Sequence, residues 1–265
     1  MASPRTLTQM TVETIIDHTP MVRELRLRNQ SSEPFRFKAG QFVMLHVPDA
    51  ETGKPALRAY SIASEEQKTD GFNLILKYVD NGKASSFVWG LGGNETLSFT
   101  GPFGKVFFQE PPTEQIIFLN TGTGLAQHLS YLLSKKDQFP NLKYKMLFGL
   151  RHETDIYFEK ELTELQKTLP NFEFEYVLSR PQATWSKNHE DTKTTENSGN
   201  SSRAWSSGRT GKTGYVQNFI KDFDFKNIPT TFYLCGNGGM IKATKEILID
   251  QYGFDKTCIW AEAFD

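Results

Sequence analysis

Cysteine is almost absent: Cys235 and Cys258 are the only two in 265 residues. Two thiols are too few for a four-thiolate iron–sulfur cluster or an all-thiolate structural zinc site. Any metal centre that this chain serves must therefore belong to a partner. Neither sign of charge dominates, since 30 Lys and Arg stand against 31 Asp and Glu for a net charge of −1. Without a basic excess, a role on nucleic acid or at an anionic membrane surface has no electrostatic footing. No apolar run approaches the roughly 20 residues that cross a bilayer. The opening Met-Ala-Ser-Pro-Arg-Thr also lacks the apolar core of a secretory signal. The expectation is a cytoplasmic protein with no nucleic-acid and no membrane partner.

What is present is an ordinary enzyme-like composition, 38% hydrophobic and 23% charged, over a length that permits two domains with adequate cores. Up to about residue 110, short β-branched or aromatic runs alternate with Gly, Pro, Asn and Asp. The runs are Thr11 to Ile16, Val22 to Leu27, Gln41 to Val47, Phe72 to Tyr78 and Glu95 to Phe99. They predict a small antiparallel β-barrel over residues 1–110. Phe37 to Phe42 reads as a tight turn feeding a strand, and Gly101-Pro102-Phe103-Gly104 as a turn that ends the barrel.

After Glu110-Pro111-Pro112 the rhythm changes. Strands expected at Ile116 to Leu119, Tyr144 to Leu150, Phe172 to Leu178, Phe232 to Leu234 and Thr257 to Trp260 are interleaved with helices. Those helices are expected at Gly124 to Leu133, Phe158 to Thr168 and Met240 to Tyr252. Such alternation predicts a parallel α/β nucleotide-binding sheet over residues 113–265. Between Gln182 and Lys212 apolar residues nearly vanish, leaving Ala183, Trp185, Ala204 and Trp205. That stretch buries too little surface to offset its ordering entropy, so a long mobile insertion is expected there.

Leu57 to Ser64 carries the densest chemistry. In an extended strand Arg58, Tyr60 and Ile62 share one face, and Ala59 and Ser61 the other. A guanidinium suits a diphosphate, a phenol ring suits a flat heterocycle, and a small hydroxyl can bond a ring nitrogen without crowding it. Alone, such an octapeptide reads first as a core tyrosine beside a solvated edge charge, with Ser61 as filler. Gly82 to Trp89 reads as a glycine opening a helix that Ser85 or Ser86 can cap, leaving amides free for a phosphate. Thr121 to Ala126 sits where a strand meets a helix, so its glycines let amides approach a pyrophosphate, although the full G-x-G-x-x-G is missing. Tyr233 to Met240 repeats that arrangement with Cys235 at the rim, and no neighbouring histidine is available to make the thiol a nucleophile.

In their order these segments resemble the ferredoxin-NADP reductase superfamily of flavoenzymes, over nearly the whole chain outside the polar insertion. Arg58-Ala59-Tyr60-Ser61 resembles the family's R-x-Y-S flavin motif, Gly82 to Ser85 its G-x-x-S pyrophosphate loop, and Gly101 to Gly104 its barrel-closing turn. Thr121 to Gly124 and Cys235-Gly236-Asn237 resemble its two nicotinamide-nucleotide motifs, and Glu262-Ala263-Phe264 its acidic-then-aromatic ending. The resemblance implies FAD in the barrel, a nicotinamide nucleotide in the α/β domain, and hydride transfer across the cleft between them. It implies Arg58 on the FAD pyrophosphate, Tyr60 stacked on the isoalloxazine with Ile62 on its face, and Ser61 near N5. Gly82, Lys83, Ala84 and Ser85 form the loop that meets the phosphates. On the other side it implies Gly122, Thr123, Gly124 and Gly236 at the nucleotide, Cys235 beside the nicotinamide, Glu262 as a proton relay and Phe264 over the flavin face. Two departures stand out: Thr121 replaces a frequent glycine, and Gln127 a frequent proline.

For cofactor choice, Ser179, Arg180 and Tyr215 flank the polar insertion and resemble the family's NADP pocket, which implies NADP(H). NAD(H) is the alternative, since NADH-using relatives carry a similar Leu-Ser-x-Pro segment. The expected partner is a ferredoxin or flavodoxin, and the expected state a monomer. Two other enzyme readings stay open, an NADH-dependent reductase component of an oxygenase system and a free-flavin reductase. A non-catalytic nucleotide-sensing module is the reading from another class.

Overall fold

The computed structural model describes residues 7–182, 185 and 211–264. Six strands build the first unit: β1 (Leu7–Thr19), β2 (Val22–Asn29), β3 (Phe42–Val47), β4 (Ala56–Ser61), β5 (Gly71–Lys77) and β6 (Thr96–Phe103). They pair antiparallel in the order β4-β3-β6-β1-β2-β5. A bridge between Ile62 and Leu74 joins the two edges and closes the sheet into a barrel. The period of two is visible in β3, where Val43, Leu45 and Val47 are buried while Phe42, Met44 and His46 are half-buried. A single helix, α1 (Lys83–Trp89), packs on this unit and buries Ala84, Ser85 and Val88.

The second unit is a six-stranded parallel sheet of β7 (Gln115–Thr121), β8 (Lys143–Leu150), β9 (Phe172–Leu178), β10 (Gly211–Thr213), β11 (Thr230–Gly236) and β12 (Ile259–Ala263). Its helices are α2 (Leu125–Lys135), α3 (Glu159–Thr168) and α4 (Gly238–Glu246). The strand order is β10-β9-β8-β7-β11-β12, every neighbour parallel. From β7 the chain steps one way to β10 and then returns to place β11 on β7's other side. That reversal opens a crevice at the carboxyl ends of β7 and β11, the place where such sheets hold ligands. Among the described residues no helix is long and apolar enough to cross a membrane.

α2 locks the two units together. All of its residues except Leu133 are buried, because the helix lies between the sheet and the barrel and has no solvent face. Its apolar side joins one cluster in which Phe118, Leu125, Leu129 and Leu132 meet Val22, Ala39, Ala63 and Ile75 of the barrel. Three of its polar side chains pair with the barrel. Ser130 donates to the Ser64 carbonyl at 2.8 Å, the Glu66 amide donates to Ser134 at 2.9 Å, and Lys135 meets Glu66 at 2.7 Å. Buried polar groups persist only when paired, so this row fixes the register of barrel against helix.

Within the polar segment, residues 183–184 and 186–210 lie outside the described residues, and so does the role expected for them. Its two ends correct the expectation. Trp185 is 4% exposed and lies against Gly211, where an added Cβ would meet its ring at 2.4 Å. Gly211 and Lys212 belong to β10, paired with Tyr176 and Val177. A large indole has enough area to stay buried even among polar neighbours, and a three-residue strand is too short to carry a periodic signal. The last helix is also shorter than expected, with α4 passing into a π-helical turn at Ile247–Gln251.

Candidate functional site

A cleft of about 550 Å³ opens between the units. Met21, Val22 and Lys77 line it from the barrel, Gly122, Thr123 and Gly236 from the crevice, and Phe264 from the chain's end. Ser179, Arg180 and Tyr215 line its far side, so the structure brings these motifs to one space.

Arg58, Tyr60 and Ser61 of the barrel are not among the residues that line this cleft. Ser61 is 5% exposed and its buried Oγ has no hydrogen-bond partner among the described residues. An unmet buried hydroxyl costs about 1 to 3 kcal/mol, which is reason to expect a polar ligand atom against it. Tyr60 is half-buried against the barrel core, and burial holds its phenol above the ordinary range with the Arg58 charge opposing. Arg58 is exposed on β4 and makes one hydrogen bond, to the Leu57 carbonyl at 2.9 Å. No carboxylate pairs with it among the described residues, which leaves the guanidinium available to an anion. An orphan hydroxyl, a partly covered phenol and an unpaired guanidinium on one strand fit a flavin with its diphosphate.

Ile62 departs from its assignment. Its side chain is fully buried in the barrel core and its amide donates to the Gln41 carbonyl at 3.0 Å, so it supports the strand rather than meeting a ligand. The helix cap departs as well: α1 starts after Gly82 with no side-chain cap, and Ser85 Oγ instead accepts from the Val79 amide at 2.8 Å. Lys83 directs its ammonium to Asp49 at 2.7 Å and Glu51 at 3.1 Å, hydrogen bonds that raise its pKa and lower that of Asp49. The backbone of this loop and the serine O–H groups remain for a phosphate.

On the sheet side, the two glycine turns touch. An added Cβ on Gly124 would meet the Cys235 carbonyl oxygen at 2.3 Å, so only glycine lets α2 start this close to β11. Gly236 has φ of +127°, and a Cβ there would meet Thr121 Oγ1 at 2.3 Å. Thr121 is thereby explained: its hydroxyl accepts from the Asn237 amide at 2.9 Å and ties one turn to the other. Asn237 Oδ1 then caps α4 through the Met240 amide at 3.1 Å.

Cys235 is fully buried, and burial pushes its thiol well above the ordinary range with the Glu262 charge adding to the effect. It is a neutral thiol beneath the rim. Glu262 is raised by burial and lowered in part by a hydrogen bond from Gln127. Phe264 is anchored by its amide, which donates to the Gly236 carbonyl at 2.8 Å.

Reasoning from the sequence missed several residues of the cleft. Arg151 adds a second guanidinium at the carboxyl end of β8; it and Arg180 pair with no carboxylate among the described residues. Gln217 lines the same wall with a buried Oε1 that has no partner there. Its signal was the Tyr-x-Gln spacing from Tyr215. Lys77 carried no signal, since a lysine ending a strand is ordinary.

A closed barrel bearing an orphan hydroxyl and a free guanidinium, set against a doubly wound sheet with glycine turns at its switch point, defines a two-domain flavin- and nicotinamide-nucleotide-dependent oxidoreductase. Residues 8–108 match the oxidoreductase FAD-binding domain and residues 118–246 the oxidoreductase NAD-binding domain. The chain belongs to the ferredoxin-NADP reductase superfamily. It is 27% identical over 255 residues to ferredoxin–NADP reductase B of Sorangium cellulosum, covering 93% of each chain. It is also 27% identical to the phenol hydroxylase P5 protein of Acinetobacter pittii, covering 94% of this chain but 63% of that protein. In fold it is similar to a ferredoxin NADP+ reductase from Neisseria gonorrhoeae with bound FAD and NADP, at a TM-score of 0.75 and 20% identity over 98% of this chain and 99% of that one. A cytochrome P450 reductase from Amycolatopsis gives a TM-score of 0.79 at 22% identity, over 98% of this chain and 70% of that one.

Proposed function

We propose that this chain is a reductase that oxidises NADPH through FAD and delivers electrons to a ferredoxin or flavodoxin. The observation that carries the reading is the single cleft in which Phe264 and the glycine turns of the sheet face Met21, Val22 and Lys77 of the barrel. A bound FAD supplies the conversion of a two-electron hydride into single electrons. The chain's own residues do the rest. Arg58 neutralises the diphosphate, Tyr60 packs against the heterocycle, and Ser61 donates a hydrogen bond at the reacting edge. The backbone at Gly82, Ala84 and Ser85 and at Gly122, Thr123, Gly124 and Gly236 meets the two pyrophosphates. The buried, neutral Cys235 packs behind the glycine turns without ionising, Glu262 relays protons, and α2 keeps both halves of the cleft in register so that water is excluded.

Ser179, Arg180 and Tyr215, joined by Arg151, form the end of the cleft that takes the adenosine. Two guanidiniums there favour the additional dianion of a 2′-phosphate. Charge-assisted contacts contribute about 1.5 to 3 kcal/mol, so Arg180→Ala is expected to weaken NADPH by roughly ten- to a hundredfold. NADH binding should stay nearly unchanged. Titration of both nucleotides against both proteins checks this, and an equal loss for NADH would remove Arg180 from cofactor selection.

The acceptor is tested by anaerobic oxidation of NADPH and NADH in the presence of ferredoxins, a flavodoxin and free flavin in turn. Turnover only with free flavin, or only with NADH, would replace the reading with a flavin reductase or an oxygenase reductase component. The likeness to the phenol hydroxylase P5 protein supports the latter as the second reading. If the protein binds FAD but no reduced nicotinamide bleaches it, a sensing module is what remains.

Phe264 is the gate in this reading. A chain ending at Glu262 loses the ring but keeps most of β12, and its affinity for nicotinamide nucleotide should change severalfold with FAD still bound. Unchanged affinity by titration would mean that the ring does not compete with nicotinamide.

A further inference from the structure

Gln127 lies on α2 where many relatives are expected to carry proline, and the fold gives it a task that proline has no means to perform. It is 1% exposed, and its Nε2 has two protons with two acceptors. One is the Gly40 carbonyl of the barrel turn at 3.2 Å, and the other is Glu262 Oε2 on β12. One amide group therefore links the barrel, the first helix and the last strand beside the cleft. Phe264, two residues after Glu262, lines that cleft.

The groups facing the Glu262 carboxyl leave Gln127 as its one strong donor. From β11 comes the Cys235 thiol, held neutral by burial, and from α2 the Tyr131 phenol, also held neutral by burial while it donates to the Val106 carbonyl at 2.5 Å. No cation pairs with Glu262 among the described residues. A half-buried carboxylate without a counter-ion depends on neutral donors to stay ionised. Here desolvation raises its pKa and the Gln127 hydrogen bond works against that rise.

We propose that Gln127 is a positioning residue, whose amide ties the Glu262 carboxyl of the last strand to the Gly40 turn of the barrel. The inference rests on the reading that Glu262 serves the hydride-transfer site. Because Gln127 is anchored to Gly40 as well, the carboxyl keeps its place relative to the barrel that carries Tyr60 and Ser61, and not only relative to its own sheet.

The test is NMR on the FAD-loaded protein. Glutamate carboxyl carbons and glutamine side-chain amides are followed through a pH titration of the wild type and of Gln127→Met, which keeps the volume and removes the donor. In the wild type, the Gln127 amide protons should move along the Glu262 titration. In Gln127→Met, Glu262 should titrate at higher pH with the flavin spectrum and thermal midpoint retained. Amide resonances that stay flat through the Glu262 titration overturn the proposal, as does an unmoved Glu262 in the variant. The pH profile of flavin reduction by NADPH separates the inference from its premise. A limb that shifts upward with Glu262 supports both. A limb that stays put while Glu262 shifts keeps the hold of Gln127 on the carboxyl and rejects a part for Glu262 in the reaction.

Discussion

Gly124→Ala is expected to leave the FAD-binding barrel intact and to slow NADPH-dependent flavin reduction by about a hundredfold or more. The backbone of Gly124 is ordinary right-handed helix, with φ of −58°, so alanine brings no torsional strain. What it brings is a methyl carbon placed 2.3 Å from the Cys235 carbonyl oxygen and 2.6 Å from its carbon. Those are backbone atoms inside a paired strand, and no side-chain rotation relieves the clash. Either α2 retreats from β11 or the end of β11 moves, and both shift the crevice against the barrel. Misplacement by about 1 Å is enough for a hundredfold loss in an oriented reaction. Overpacking of about 1 to 3 kcal/mol should also lower the thermal midpoint by about 2 to 12 °C, at the ~2–4 °C per kcal/mol of a chain this size.

Gly122→Ala makes the contrast, because a Cβ there meets nothing within 4 Å while φ is +53°. Its cost is mild left-handed strain, about 1 kcal/mol, plus a methyl group pointing into the space assigned to a pyrophosphate. The expected result is a raised KM for NADPH with kcat little changed. A Gly124→Ala protein whose flavin bleaches at the wild-type rate would show that the approach of α2 to β11 does not set the cleft.

How much of this was legible before folding depends on whether a residue's role is local. Arg58, Tyr60 and Ser61 announced themselves by residue type and by the alternation of a strand, and β4 (Ala56–Ser61) is that strand. The glycine turns after β7 and β11 were readable because strand-to-helix punctuation is local. That they touch was not readable. Thr121 looked like a departure from a glycine pattern, and only the parallel pairing of β7 with β11 brings its hydroxyl to the Asn237 amide, 116 positions away in sequence. Gln127 is the same case in sharper form, with partners 87 and 135 positions away.

The errors have the opposite cause. Ile62 was assigned by continuing a face past the end of its strand, but the chain bends into the closing bridge with Leu74 and carries the side chain into the core. Ser85 was read as a cap because serine near a helix start usually is one; the helix begins three residues earlier than that role requires, and the hydroxyl turns to Val79. Lys83 beside a phosphate loop suggests a phosphate ligand, yet Asp49 and Glu51 from the β3–β4 connection take its charge. For Ile62 a strand, and for Lys83 two acids from another connection, claim a group that local pattern had assigned elsewhere; for Ser85 the claim comes from the turn just before its helix.

Ser61→Ala should give the clearest kinetic result on the barrel side. In the absence of ligand the variant is expected to be no less stable than the wild type, because the mutation removes a buried hydroxyl that has no partner among the described residues. Deleting an unsatisfied polar group relieves a cost of about 1 to 3 kcal/mol, offset in part by the small void it leaves. A core residue chosen for packing would behave otherwise and lose stability on truncation. FAD should stay bound, since Arg58, Tyr60 and the loop at Gly82 are untouched. Flavin reduction by NADPH should nevertheless fall by about a hundredfold, the typical loss when one aligned donor is withdrawn from the reacting atoms of a water-poor site. Anaerobic stopped-flow bleaching of the flavin, run beside a thermal melt of the apoprotein, reads both halves. A slower reaction with a raised or equal midpoint marks a hydroxyl held in reserve for the ligand at a cost in stability. A lowered midpoint with unchanged bleaching would instead make Ser61 a packing residue, and would take the reacting edge of the flavin away from this strand.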